Sequence, residues 1–112
     1  MPRVFIPQVP SRFDGGSNLW IPTVNVSRAK DFGDLVVMLP PAASRTGIDA
    51  CAASIARQME DYGPEDYLIA IGDPTLYAVA ACCAARQTDG LLRMLKWDRI
   101  SSNYILEEVE LS

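Results

Sequence analysis

The chain of 112 residues contains no histidine. A Ser-His-Asp or Cys-His catalytic arrangement and any imidazole-ligated metal are therefore excluded. Cysteine is scarce as well: three residues, two of them adjacent, Cys82 and Cys83. An odd number at that spacing is no disulfide framework, and it points to reduced, buried, unliganded thiols in a reducing setting. Successive helical positions lie about 100° apart, so these two thiols cannot form a Cys-x-x-Cys zinc site. No metal and no cofactor is expected. Apolar runs stay short of the roughly 18–20 residues that span a bilayer, so no membrane helix is expected. Pro2, Pro7 and Pro10 interrupt the N-terminus, where a secretory leader needs a continuous apolar segment. Positive charge is also in deficit, with 10 Lys and Arg against 14 Asp and Glu. The shortfall lies beyond residue 59, where 4 basic residues face 10 acidic ones. Such a balance argues against a general nucleic-acid binder.

What is present is ordinary globular usage, 49% hydrophobic and 21% charged, at a length that suits one domain with a real core. Residues 1–22 read as an extended N-terminal arm. Pro2, Pro7, Pro10 and Pro22 punctuate them, and proline removes a backbone donor, which argues against a central strand or a helix. The arm is too apolar for a solvated tail (Phe5, Ile6, Trp20 and others), so it must lie on its own subunit or on a neighbour. Residues 23–112 read as a single compact α/β domain.

Within that domain, Thr23–Ser27 is a possible edge strand, and Asp34–Pro40 is a strand covered on both faces. Thr46 with Asp49 resembles a capping box. Ile48, Cys51, Ala52, Ile55, Met59 and Tyr62 then follow at helical spacing as one apolar stripe. Asp66–Gly72 is a second buried strand. Strand, helix, strand reads as a right-handed βαβ unit with parallel strands.

The next stretch, "IGDPTLYAVAACCAARQTDG", places a glycine between a strand and a helix. A phosphate-binding loop needs bare backbone amides, usually with several glycines. Here Asp73 stands at N-cap and Pro74 at N1, so the stretch reads as a helix start whose amides are already satisfied. The helix carries no charge from Leu76 to Ala85. A helix apolar all round must be covered nearly all round, either by the arm or by a second subunit. Phe5, Ile6, Trp20, Leu76, Tyr77, Ala80 and Cys83 are the interface candidates.

Leu91–Arg99 and Asn103–Leu111 read as a C-terminal antiparallel hairpin. Arg93, Lys96, Trp97, Arg99 and Tyr104 set cations beside aromatics, a surface type that binds single-stranded nucleic acid. Against that reading, Glu107, Glu108 and Glu110 on the partner strand spoil the field. Adjacent acids such as Glu65-Asp66 read as a solvated loop.

"YLIAIGDPTLYAVAACCAA" followed by "GLLRMLKWDRISSNYILEEVEL" resembles a class of small tailed-bacteriophage proteins. These carry a hydrophobic strand, Gly-Asp-Pro, an alanine-rich helix, then Leu-Lys-Trp-Asp-Arg before a terminal strand. The resemblance covers about residues 33–112 and leaves out the arm. It implies a viral origin and a compact α/β fold, and it supplies no catalytic residues. The combined expectation is a small non-enzymatic phage protein in the host cytoplasm or the virion. It would act by protein–protein interaction, with itself as a homodimer or with a host or virion protein. A single-stranded nucleic-acid accessory is the alternative, and a small enzyme of unknown reaction the third.

Overall fold

The computed structural model describes residues 2–43 and 47–112. Among these residues seven strands form: β1 (Arg3–Gln8), β2 (Ser11–Asp14), β3 (Leu19–Pro22), β4 (Asp34–Leu39), β5 (Tyr67–Ile69), β6 (Leu91–Asp98) and β7 (Asn103–Glu110). Two α-helices accompany them, α1 (Ile48–Gln58) and α2 (Pro74–Gln87). Five strands make one sheet in the order β4-β1-β5-β6-β7, and β2 pairs with β3 as a separate ribbon. β4, β1, β5 and β6 run parallel, and β7 returns antiparallel to β6. The expected α/β class and terminal hairpin are therefore present.

The reading of residues 1–22 as an arm is corrected. Residues 3–8 are a central strand, parallel to β4 on one side and β5 on the other, with Val4, Phe5 and Ile6 fully buried. Pro7 is tolerated because of where it falls. The β4 register passes over it, from Ile6↔Val37 to Gln8↔Leu39, and the β5 register ends at Phe5↔Leu68. A proline excludes a central strand only where a ladder needs its donor. The rest of the segment is the β2–β3 hairpin, turned at Gly15-Gly16, with the Phe13 and Trp20 rings edge to face and their centroids 5.5 Å apart. Thr23–Ser27 does not form a strand. The chain there enters a 3-10 turn, Ser27–Asp31, whose Ala29 is buried against the sheet.

The inserted strand also revises the βαβ reading. β4 and β5 are parallel, but β1 lies between them. A second unit, β5–α2–β6, joins adjacent parallel strands. Both helices pack on one face, where Phe5, Met38 and Leu68 from the sheet meet Cys51, Ile55 and Met59 of the α1 segment and Leu76, Ala80 and Ala84 of α2. The predicted α1 stripe is right except at its start, where Ile48 is exposed. Thr46 of the expected capping box lies outside the described residues, and Gly47 occupies the N-cap position without a side-chain cap. On the other face the 3-10 turn and Phe32 cover Val4, Ile6, Ile69 and Leu95.

The start of α2 is as the sequence predicts. The Asp73 carboxylate accepts from the Thr75 N–H at 2.9 Å, with Pro74 at N1. Gly72 makes the turn at φ +95°, and a Cβ there would sit 2.8 Å from the Gln8 carbonyl oxygen. The glycine thus serves a left-handed turn packed on β1. Asp73→Ala is expected to cost about 0.5–2 kcal/mol in urea unfolding, and Asp73→Ser to stay near wild type. A serine variant as unstable as the alanine one would show that something other than capping is at work.

Candidate interaction surfaces

Five of the seven predicted interface residues are unavailable to a partner. Phe5, Ile6, Leu76, Ala80 and Cys83 lie in the chain's own core. Tyr77 is half-buried, and Trp20 lines a groove between the β2–β3 ribbon and the sheet. The apolar N-terminal residues needed a cover, and they supply the middle of the sheet instead. α2 is not wrapped all round either. One face is buried, while Ala78 and Cys82 on the other are exposed. Alanine carries so little apolar surface that leaving it in water costs little, which is why an uncharged helix can lie at a surface.

None of the three thiols forms a disulfide, and the Cys51 thiol donates to the Ala43 carbonyl at 3.2 Å, but contrary to expectation not all are buried. Cys51 and Cys83 are buried and Cys82 is exposed. Burial pushes the Cys83 thiol above its ordinary pKa, against the pull of Arg86. One thiol, Cys82, is expected to react with Ellman's reagent in the native protein and all three in denaturant. Rapid native labelling of Cys83 would contradict this packing.

The C-terminal hairpin brings Arg93, Lys96, Trp97 and Tyr104 together, but in a self-satisfied way. The Arg93 guanidinium donates to Glu108 Oε1 at 3.2 Å, to the Pro64 carbonyl at 2.9 Å and to the Tyr67 hydroxyl at 2.8 Å. Its charge also lies over the Tyr67 ring, 4.2 Å from the centroid. Lys96 pairs with Glu107 at 3.9 Å. Tyr104 is buried, its ring edge to face with Trp97 at 5.2 Å. Its hydroxyl is buried with no partner among the described residues, and burial raises its pKa. Arg99 is exposed in the turn. The cations of a stacking surface are thus largely committed to the hairpin's own acids.

What the hairpin does offer is an edge. α2 packs on β1, β5 and β6. β7 lies one strand further out and is exposed from Ile105 to Glu110. Ile105 and Val109 share one face and Leu106 the other, all roughly two-fifths exposed, with Trp97 alongside at 41% and Ile100 in the turn at 97%. The outer side of β7 pairs with no strand among the described residues. The opposite edge, β4, is better guarded, since the Gln58 amide donates to the Met38 carbonyl at 2.8 Å.

Sequence reasoning missed one buried charge. Asp66 is 5% exposed and holds β1 to the start of β5. Its carboxylate accepts from the Arg3 N–H, the Arg3 guanidinium and the Gly63 N–H, each at 2.9 Å. Burial works to raise its pKa, but the bonds from Arg3 and Gly63 and the Arg3 charge outweigh it, and the net shift is downward. The Arg3 guanidinium also pairs with Asp61 at 3.0 Å. A carboxylate this fully engaged is a strut.

No curated protein and no solved structure matches the chain. The family described as phage Pam3 gp32-like protein matches residues 2–111. The match extends through β1, in keeping with that strand being integral to the fold. The chain belongs to the phage Pam3 gp32-like protein family.

Proposed function

We propose that this phage protein is a non-enzymatic accessory that works by binding another protein through the β7 edge. The observation that carries the reading is an eight-residue edge strand with apolar side chains exposed on both faces and, among the described residues, no strand on its outer side. Such an edge is a template for an added strand, with main-chain bonds giving affinity and alternate side chains giving specificity. Glu107, Glu108 and Glu110 would face one another in a two-fold self-pairing centred on their stretch, and like charges directly opposite are unfavourable. The edge therefore suits an extended segment of a different protein, of host or virion, carrying Lys or Arg among apolar residues. No helix among the described residues is long and apolar enough to cross a membrane.

The test is site-specific photo-crosslinking in infected cells. A crosslinker at Ile105 or Val109 is expected to capture a protein, and the same group at Ala78 on α2 is not. The captured peptide should be a basic, extended segment. With the crosslinker moved to Leu106, the double variant Ile105→Lys with Val109→Lys should abolish capture without lowering the melting temperature. Salt-sensitive retention on single-stranded DNA, lost in Arg99→Ala, would favour the nucleic-acid alternative. A mass above 12.3 kDa in sedimentation that the double Lys variant dissolves would give the edge to a second copy.

A further inference from the structure

The sheet face away from the helices is only partly covered. The 3-10 turn and Phe32 close its middle. Toward β4, the β2–β3 ribbon and the segment after it stand off the sheet and leave a groove of about 690 Å³. That volume falls in the range of small-molecule pockets, roughly 300–1,000 Å³. Leu35 and Val37 of β4 form one wall, and Val9, Trp20, Pro22 and Val26 face them. Val37 is half exposed, an unusual condition for a β-branched residue on a sheet face.

The polar side of the groove is one-sided. Among the described residues Lys30 is its single charged lining residue, and no carboxylate lines it. Lys30 takes part in none of the ion pairs of the described residues. Two hydroxyls at the rim are turned to their own backbone: Ser11 donates to the Val9 carbonyl at 3.0 Å and Thr23 to the Pro10 carbonyl at 3.1 Å. An apolar trough with one uncompensated ammonium, in a protein of net charge -4, selects for a particular ligand shape. We infer that this groove binds a small amphiphile with an apolar body and a single anionic head, the body lying on Leu35, Val37 and Trp20 and the head on Lys30. A compact ammonium pairs with a carboxylate or phosphate as a point charge, without the planar fork that an arginine would impose. This site is separate from β7 and does not depend on the edge reading.

Dodecanoate, kept below its micellar concentration, is the probe. Trp97→Phe leaves Trp20 as the only indole, so quenching reports on the groove. Dodecanoate is expected to quench it saturably at one per chain. Dodecan-1-ol should bind about tenfold more weakly, since a charge-assisted contact is lost. Lys30→Gln should remove the preference for the acid while leaving the alcohol unchanged. Val37→Trp, which fills the groove, should abolish binding at an unchanged melting temperature, with binding read by calorimetry because the variant adds an indole. Equal binding of acid and alcohol, no effect of Lys30→Gln, non-saturating uptake, or binding that survives Val37→Trp would each overturn the inference. So would sedimentation showing a dimer that Val37→Asp dissociates, because the groove would then belong to a second copy.

Discussion

Phe5→Ala is expected to cost about 3–5 kcal/mol, the loss typical of emptying a fully buried aromatic site. Phe5 has no exposed surface, and its ring meets Tyr62 edge to face at 5.2 Å. The Arg3 guanidinium lies over the same ring, 4.8 Å from its centroid. Removing the ring leaves a cavity between the sheet and the helices, and it takes the support from the strut at Asp66. Urea unfolding read by far-UV circular dichroism measures the loss. Phe5→Leu should cost much less, since it refills most of the volume. An arm residue lying on the surface would lose under about 1 kcal/mol on truncation, and that result would undo the placement of β1.

Asp66→Asn carries the second large effect, about 3 kcal/mol at neutral pH. Removing one member of a buried pair costs roughly 3–5 kcal/mol, and the lower end applies because Arg3 keeps Asp61 as a partner. An amide presents one acceptor where the carboxylate presents two, so either Gly63 or Arg3 must face a donor. The pH dependence has a definite sign. The folded pKa of Asp66 lies below its unfolded value, near 3.9, so the carboxylate stabilises the fold fully above about pH 5. The contribution is lost as pH falls through the folded pKa. The gap between wild type and Asp66→Asn should therefore be widest at pH 7 and shrink below pH 4. A gap independent of pH would mean that the side chain acts by shape and not by charge.

The elements that the sequence displays best are those whose signal is local. Leu35–Leu39, the Cys51–Tyr62 stripe and the Asp73-Pro74 start each announce themselves within a few residues. β1 did not, although Val4-Phe5-Ile6 is the same kind of apolar run as β4. The prolines outweighed it, and whether Pro7 breaks a ladder depends on where β4 and β5 stop pairing, which no local pattern encodes. Asp66 was hidden for a similar reason. Its partner Arg3 is 63 positions away, and beside Glu65 it looked like one more solvated acid. The exposure of β7 is a matter of how far α2 reaches across the sheet. The composition of the hairpin records that Glu residues are present, but not that Ile105 and Val109 lack a cover. Trp20 lines a groove built by a hairpin that the arm reading does not contain.

The position of β1 sets a problem of timing during synthesis. Among the strands of the sheet it is the first to leave the ribosome, yet it is the one on which the sheet is centred. Its β5 neighbours, Tyr67 and Leu68, follow more than 60 residues later. At about 5–20 residues per second, a bare Val-Phe-Ile segment waits several seconds for its partner on that side. Such a segment invites edge-to-edge association between nascent chains. The prolines at positions 2, 7 and 10 flank it as gatekeepers: they cap the length of ladder a stray strand can build, and Pro7 does so without costing the native sheet a bond. Replacing Pro7 with valine would leave the finished fold nearly intact and shift the loss to the yield of soluble chains.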